Sequence, residues 1–364
     1  LMAHEPVIIP PQPRTLTFGE LLEQFNTSPE IVQRSKEILK KYKAYQTVLL
    51  NIIGAGYEVK YINRKYFRQL LEIVRKIPKN LGKYNEFKNL PIKEVIEKTN
   101  TNMTYEPLSA TSINDYLEHL QALLRWAKRD GHAAIDDFSD IRAKRESKAK
   151  YDKMPFTMEQ IKTIMCSPEV QESKKYKTKG ELYWCLVLGF LTGMRLGEIC
   201  QLRLKDIRKQ GDIDYISVNL ESGKSVKTEQ SVRDIPINDL LKKAGFLEYI
   251  NAIRKTNKED SSIFPYYNKG TNRPGDPISK RFTRILWRLK MKNIKLTFHS
   301  TRHNYRDFIR ESDLNQVEYN LALELCGWSV EGGSIHNIYG SSHSLKRKLD
   351  VVNKIKYDGI RELI

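Results

Sequence analysis

Residues 181–194, ELYWCLVLGFLTGM, are apolar around the whole circumference of a helix and not along one stripe. Such a helix has no face to give to water, so it folds only inside a shell of other elements. It therefore marks the buried centre of a domain, and Arg195 follows it directly. An arginine at the end of so apolar a segment is costly to bury without an anionic partner. Glu198, one helical turn on, could be that partner on structural grounds alone. This run, like every other in the chain, falls short of the roughly 18 to 20 apolar residues that cross a bilayer, so no membrane span is expected.

The domain built on this helix begins near Phe156, where Thr157 and Gln160 have the spacing of a capping box before IKTIM. Ile213 to Leu220 and Ser231 to Ile237 alternate apolar and polar residues, which predicts a hairpin with a long polar tip, ESGKSVKTEQ. Helical spacing predicts helices over 239–254, 279–292, 299–310, 314–326 and 345–355. Upstream, Ser28 and Pro29 read as the cap and first position of a helix running through Ile31, Ile38, Tyr42 and Tyr45, and two more helices fit 64–77 and 109–129. Nothing before residue 140 alternates like a strand. With 364 residues, 40% of them hydrophobic, the chain has material for two cores. The expected division is an extended tail over 1–16, an all-helical domain over 17–140, an exposed basic linker over 141–154, a mixed domain over 155–342 and a tail helix over 343–364. The fold class predicted is mainly α with a small antiparallel β-sheet.

Lys and Arg number 62 against 44 Asp and Glu, a formal charge of +18 that favours a polyanionic partner, nucleic acid ahead of an anionic membrane surface. Cys166, Cys185, Cys200 and Cys326 are scattered, with no C-x-x-C pair and no His at ligand spacing. They predict buried thiols in a reducing cytoplasm, with neither a zinc site nor a disulfide framework. The opening residues, LMAHEPVIIPPQPRTL, lack a charged-then-apolar signal pattern, and the start at Leu1 leads us to expect a trimmed N-terminus.

Taken singly, the chemically interesting residues say little. Lys227 in SVKTEQSVRDIPI would pass for a solvated turn lysine, and Tyr339 in LCGWSVEGGSIHNIYG is one of 19 tyrosines. FHSTRHNYRD sets His299 and Arg302 on one helical face, a common spacing. Their order is far more specific. Arg195 in T-G-M-R-L-G-E-I, Lys227 before a strand ending R-D-I-P-I, the H-x-x-R pair, a G-W at Trp328 in place of the commoner G-H, and Tyr339 near the end together resemble the tyrosine recombinases, the phage integrases and their relatives. The resemblance covers Phe156 to Gly340 and, more loosely, the N-terminal helices, which resemble the family's core-binding domain.

That resemblance implies an active-site set of Arg195, Lys227, His299, Arg302, Trp328 and Tyr339, with Glu198 supporting Arg195. It implies DNA cleavage and rejoining through a 3'-phosphotyrosyl intermediate on Tyr339, with no metal or other cofactor. It also implies a C-shaped clamp of two domains on opposite faces of double-stranded DNA, and a homotetramer on attachment sites that passes through a Holliday junction. Accessory DNA-bending proteins, the nucleoid of a bacterial cytoplasm, and the integration and excision of a phage or mobile element complete the expectation. Two features depart from the common pattern: Trp328 donates one N–H but exchanges no proton, and Gly332 and Gly333 lengthen the stretch before Tyr339.

The residue types suit phosphodiester transfer. A free Tyr has a pKa near 10, so about one in a thousand is ionised at neutral pH. Two arginines can grip the non-bridging oxygens and stabilise the charge that builds on phosphorus. A Lys on a hairpin can protonate the departing hydroxyl, and His299 can serve as a base toward Tyr339 or as an orienting donor. Lys36, Lys40 and Lys43, with Arg281, Arg284 and Arg288 in SKRFTRILWRLK, are candidate phosphate contacts. Leu345, Leu349, Val352 and Ile355 form a stripe on the tail helix, to be covered by its own domain or, as is common in the family, by a neighbouring protomer. A type IB topoisomerase is the alternative enzyme, and a non-catalytic DNA-binding protein is the alternative from another class.

Overall fold

The computed structural model describes residues 16–100, 105–132, 136–144, 154–175, 180–224, 231–268, 274–291, 295–328 and 343–364. The chain divides into two compact units, Leu1–Lys148 and Ala149–Ile364.

The described part of the first unit is helical. Helix α1 (Phe18–Thr27) opens with a capping box in which Thr17 and Glu20 satisfy each other's backbone N–H groups, and it buries Phe18, Leu21, Leu22 and Phe25. Ser28 and Pro29 then begin only a short turn, Pro29–Val32, before α2 (Lys36–Ile53). The single helix predicted through Ile31 and Tyr45 is thus divided, because Ser35 is extended and its hydroxyl caps the N–H of Ile38. Helices α3 (Arg64–Arg75), α4 (Ile92–Asn100) and α5 (Ala110–Arg129) complete the unit. The expected exposed linker does not begin at residue 141. Ile141 and Ala143 are buried in the first core. The Asn114 side chain on α5 holds the Ala143 backbone at both its N–H (2.8 Å) and its carbonyl (3.1 Å). Residues 145–153 lie outside the described residues.

His119 on α5 is 5% exposed, boxed by the rings of Tyr42 (4.5 Å between centroids), Tyr45 (5.6 Å) and Phe25 (6.2 Å). Its Nε2 has no hydrogen-bond partner among the described residues. Burial, with a smaller push from Lys41, brings its pKa down from 6.5 to about 4. The unfolded chain therefore binds the extra proton first as pH falls, so folded stability is unaffected above pH 6.5 and declines between 6.5 and 4. The full loss is about 3 kcal/mol. A melting temperature that falls less steeply with acid in His119→Phe than in wild type is the expected result; parallel curves would refute it.

In the second unit, α6 (Met158–Met165) starts from the predicted Thr157–Gln160 capping box and leads to α7 (Pro168–Lys175). Helix α8 (Glu181–Thr192) is buried at every position from Leu182 to Thr192. It is surrounded as an all-apolar helix must be, packing against α7 and against α13 (Ser300–Arg310). A short helix, α9 (Leu196–Cys200), follows. Strands β1 (Ile207–Gln210), β2 (Ile213–Val218) and β3 (Arg233–Pro236) form an antiparallel sheet in that order, with Ile216 paired to both Ile207 and Ile235. Strand β1 escapes prediction because only Ile207 of IRKQ faces the core.

The helix predicted over 239–254 is two, α10 (Asp239–Lys243) and α11 (Phe246–Arg254), and α12 (Asp276–Arg288) precedes α13. Helix α14 (Gln316–Leu325) and the tail helix α15 (Leu345–Lys354) complete the unit. The tail is seated on its own unit: Val351, Val352, Ile355, Tyr357 and Ile360 join the second core. Asn353 and Asp239 bond reciprocally, and the Tyr357 hydroxyl donates to Leu191 O at 2.9 Å. Leu345 and Leu349, the start of the predicted stripe, are only half-buried. Among the described residues no helix is long and apolar enough to cross a membrane.

Candidate active site

Helix α8 ends at Gly193, which has φ +61°. A Cβ there would sit 2.5 Å from Cδ1 of Tyr305, so both the turn and the contact demand glycine. The turn brings Arg195 out of the core at the start of α9, with its side chain 24% exposed. Its backbone N–H and Nη1 donate to the two oxygens of Glu198 at 3.0 and 2.8 Å. Nη1 also donates to Ser231 Oγ (3.1 Å), and Nη2 to Gly327 O (3.0 Å). Its Nε–H and second Nη2–H take no acceptor among the described residues.

Arg302, on α13, is 2% exposed and spends its bonds on carbonyls, those of Gly193, Cys326 and Gly327, the last at 3.3 Å. The Trp328 ring covers it, with the guanidinium carbon 4.4 Å from the ring centroid. Burial, joined by Arg195 and Arg233, lowers its pKa to about 10, still far above neutrality. Burial also works against ionising Glu198, but Arg233 and Arg195 outweigh it and hold the carboxyl below its ordinary range. Arg195 and Arg302 thus converge on one oxygen, Gly327 O. The three guanidiniums of Arg195, Arg233 and Arg302 against one Glu198 carboxylate leave two surplus positive charges.

The structure brings together Arg195, Glu198, Arg302 and Trp328. His299 caps α13, exposed, one turn before Arg302, with its ring edge-on to His303 at 5.2 Å. Lys227 and Tyr339 lie outside the described residues, as do Gly332 and Gly333; Ser231 and Trp328, which border those stretches, both sit at the cluster. Sequence reasoning missed three members. Arg233 stood inside the R-D-I-P-I motif and was read only as strand, Ser231 looked like a strand end, and Gly327 was read only as part of a G-W pair. Gly327 has φ +73°, and a Cβ there would lie 3.2 Å from Arg195 Nη1 and 3.3 Å from Arg233. Arg306, one turn beyond Arg302, also faces the Trp328 ring at 5.6 Å.

Elsewhere, Lys36, Lys40 and Lys43 are exposed on α2 and Arg284 is exposed on α12, while Arg281 is half-buried and Arg288 is paired with Glu169. Cys185, Cys200 and Cys326 are buried, but Cys166 is exposed, contrary to expectation, because it caps the end of α6. Among the described residues, no group of three or more His, Cys, Asp or Glu side chains could hold a metal ion.

Residues 155–324 match the sequence model of the phage integrase family. The protein IntQ of Escherichia coli (strain K12), described as defective, is 28% identical over 205 residues, which span 56% of this chain and 44% of that one. The chain thus matches less than half the length of this relative. Among solved structures, the Tn1549 transposon integrase in complex with a circular intermediate DNA superposes with a TM-score of 0.54 at 14% identity, covering 92% of this chain and 97% of that one. A lambda integrase dimer bound to a core site gives 0.53 at 16%, covering 91% and 81%. The XerH site-specific recombinase gives 0.53 at 14%, covering 81% and 74%. At these identities the likeness is one of fold: mainly helical, with a small antiparallel sheet. The likeness to the phage integrase family thus lies within the second unit of this chain.

Proposed function

We propose that the chain is a tyrosine recombinase, a site-specific DNA strand transferase that integrates and excises a mobile element through a 3'-phosphotyrosyl link to Tyr339. The observation that carries this reading is the arginine cluster around Gly327 O, with its two surplus charges and the N–H groups of Arg195 that take no acceptor among the described residues. A phosphodiester brings one negative charge and its pentacoordinate transition state two, so such a site favours the transition state over the ground state. Exchange between two duplexes needs four nucleophiles, so the working assembly is a homotetramer on double-stranded attachment sites at the nucleoid. The DNA-bound integrases of like fold support this reading. Lys36, Lys40 and Lys43 in one unit and Arg284 in the other would supply phosphate contacts.

The test is covalent capture. The protein is mixed with a duplex library of randomised core sequence, and protease-sensitive, SDS-resistant adducts are recovered and sequenced. A defined site enriched in the adducts is the expected result. No adduct from any sequence would leave a non-catalytic DNA-binding protein, and relaxation of supercoiled plasmid without recombinants would mark a topoisomerase.

Lys227, the proposed acid, carries its own prediction. Lys227→Ala should cut the captured duplex slowly but recover when the leaving oxygen is replaced by sulfur, because a thiolate departs without a proton. Arg195→Ala should not recover. The reverse pattern, measured as single-turnover rates on both substrates, would remove Lys227 from that role.

A further inference from the structure

Arg233 reaches acceptors on three separate stretches of chain. Its Nη2 donates to Glu198 Oε2 at 2.8 Å, its Nη1 to Ser231 O at 2.7 Å and its Nε to Leu325 O at 2.7 Å. The side chain is 7% exposed, so it is not open to a ligand arriving from solvent. What it controls is the environment of Arg195. The other oxygen of Glu198 accepts Arg195 Nη1, so this carboxylate is held between two guanidiniums. Oε2 also accepts the Arg195 backbone N–H at 3.0 Å, so Arg233 adds a charged donor to an oxygen that one neutral N–H would otherwise hold alone. The Leu325 carbonyl that Arg233 holds lies two residues before Gly327, whose own carbonyl fixes Arg195 Nη2. Arg233 also packs against Gly327, as the 3.3 Å approach to a Cβ position there shows. The three anchors of the Arg195 guanidinium, the Glu198 carboxylate, the Ser231 hydroxyl and the Gly327 carbonyl, thus lie on stretches of chain that one neighbouring arginine holds.

We propose that Arg233 is a positioning residue for strand cleavage. It holds Glu198 and the turn at Leu325–Gly327 so that Arg195 presents its Nε–H and remaining Nη2–H to the scissile phosphate. The inference rests on the strand-transfer reading above. The geometry calls for a planar fork with donors on three nitrogens; a lysine at 233 would neutralise Glu198 but could not hold three acceptors in three directions.

The experiment uses the full chain and the duplex recovered by covalent capture. If wild type captures nothing, the functional reading fails and this inference is not what failed. With a substrate in hand, Arg233→Lys is expected to cleave at least about tenfold more slowly at saturating protein, the scale of a misplaced catalytic group, while its Kd for the duplex stays at the wild-type value. Arg233→Ala should be slower still; should it not fold, the lysine variant decides. A cycle with Glu198→Gln supplies a readout that mere loosening of the fold would not give. Both residues act on Arg195 along one thread, so the double variant should cleave no more slowly than the slower single variant, whereas Arg233→Lys combined with Lys227→Ala should multiply. Wild-type cleavage by Arg233→Lys, multiplication of the Arg233 and Glu198 defects, or a loss confined to DNA affinity would each overturn the proposal.

Discussion

Tyr339→Phe is expected to abolish the covalent adduct while leaving duplex affinity at the wild-type value. The phenyl ring keeps the shape and packing of tyrosine and lacks only the oxygen that would attack phosphorus. Affinity is carried by cations that the substitution does not touch, so a mobility shift should be unchanged on the same duplex for which denaturing electrophoresis shows no protein-linked strand. An adduct that persisted would assign the nucleophile elsewhere. The structure narrows where that could be: Tyr305 is 1% exposed, and burial, aided by Tyr357, pushes its hydroxyl far above the ordinary tyrosine range. Tyr319, half-buried on α14, would be the one to mutate next.

The second large effect belongs to the two arginines that meet at Gly327 O. Arg195→Ala and Arg302→Ala should each slow single-turnover cleavage by at least about a hundredfold, as removal of one preorganised transition-state donor does. Their consequences for the fold should differ. Arg195 is partly exposed, and Glu198 keeps Arg233 as a partner when it is gone. Arg302 is buried beneath Trp328, and its loss strands the Gly193 and Cys326 carbonyls at about 1 to 3 kcal/mol for each acceptor left unsatisfied, while Gly327 O keeps Arg195. Arg302→Ala should therefore also lower the melting temperature, and Arg195→Ala should do so much less. Cleavage by either variant within a few-fold of wild type would show that the cluster is not where phosphate is held.

How much of this was legible in the sequence differs from residue to residue. The all-apolar run at 182–192 announced a buried helix because burial on every side leaves an unmistakable composition. The Thr157–Gln160 cap was legible because capping is local chemistry between residues three apart. The pairing of Arg195 with Glu198 was legible for the same reason. Arg233 was not, since its partners Glu198 and Leu325 lie 35 and 92 residues away and nothing local distinguishes it from any polar residue on a strand. Strand β1, with one inward residue, and the break at Ser35, which turns on a single hydroxyl, fell below what periodicity can resolve. The linker was set too early because charge at Arg142 and Lys144 masked the alternating burial of Ile141 and Ala143.

The seating of the tail bears on how the protein is made. Tyr357 donates to Leu191 across 166 residues of sequence, and Val351, Val352, Ile355 and Ile360 join the same core that holds α8. A nascent chain on the ribosome can assemble the first unit early. It cannot cover Leu191 and Tyr305 with Tyr357 until the tail has emerged from the exit tunnel. Translation thus withholds a completed second core from any partial product, and a prematurely terminated chain would expose Leu191 and its apolar neighbours to quality control.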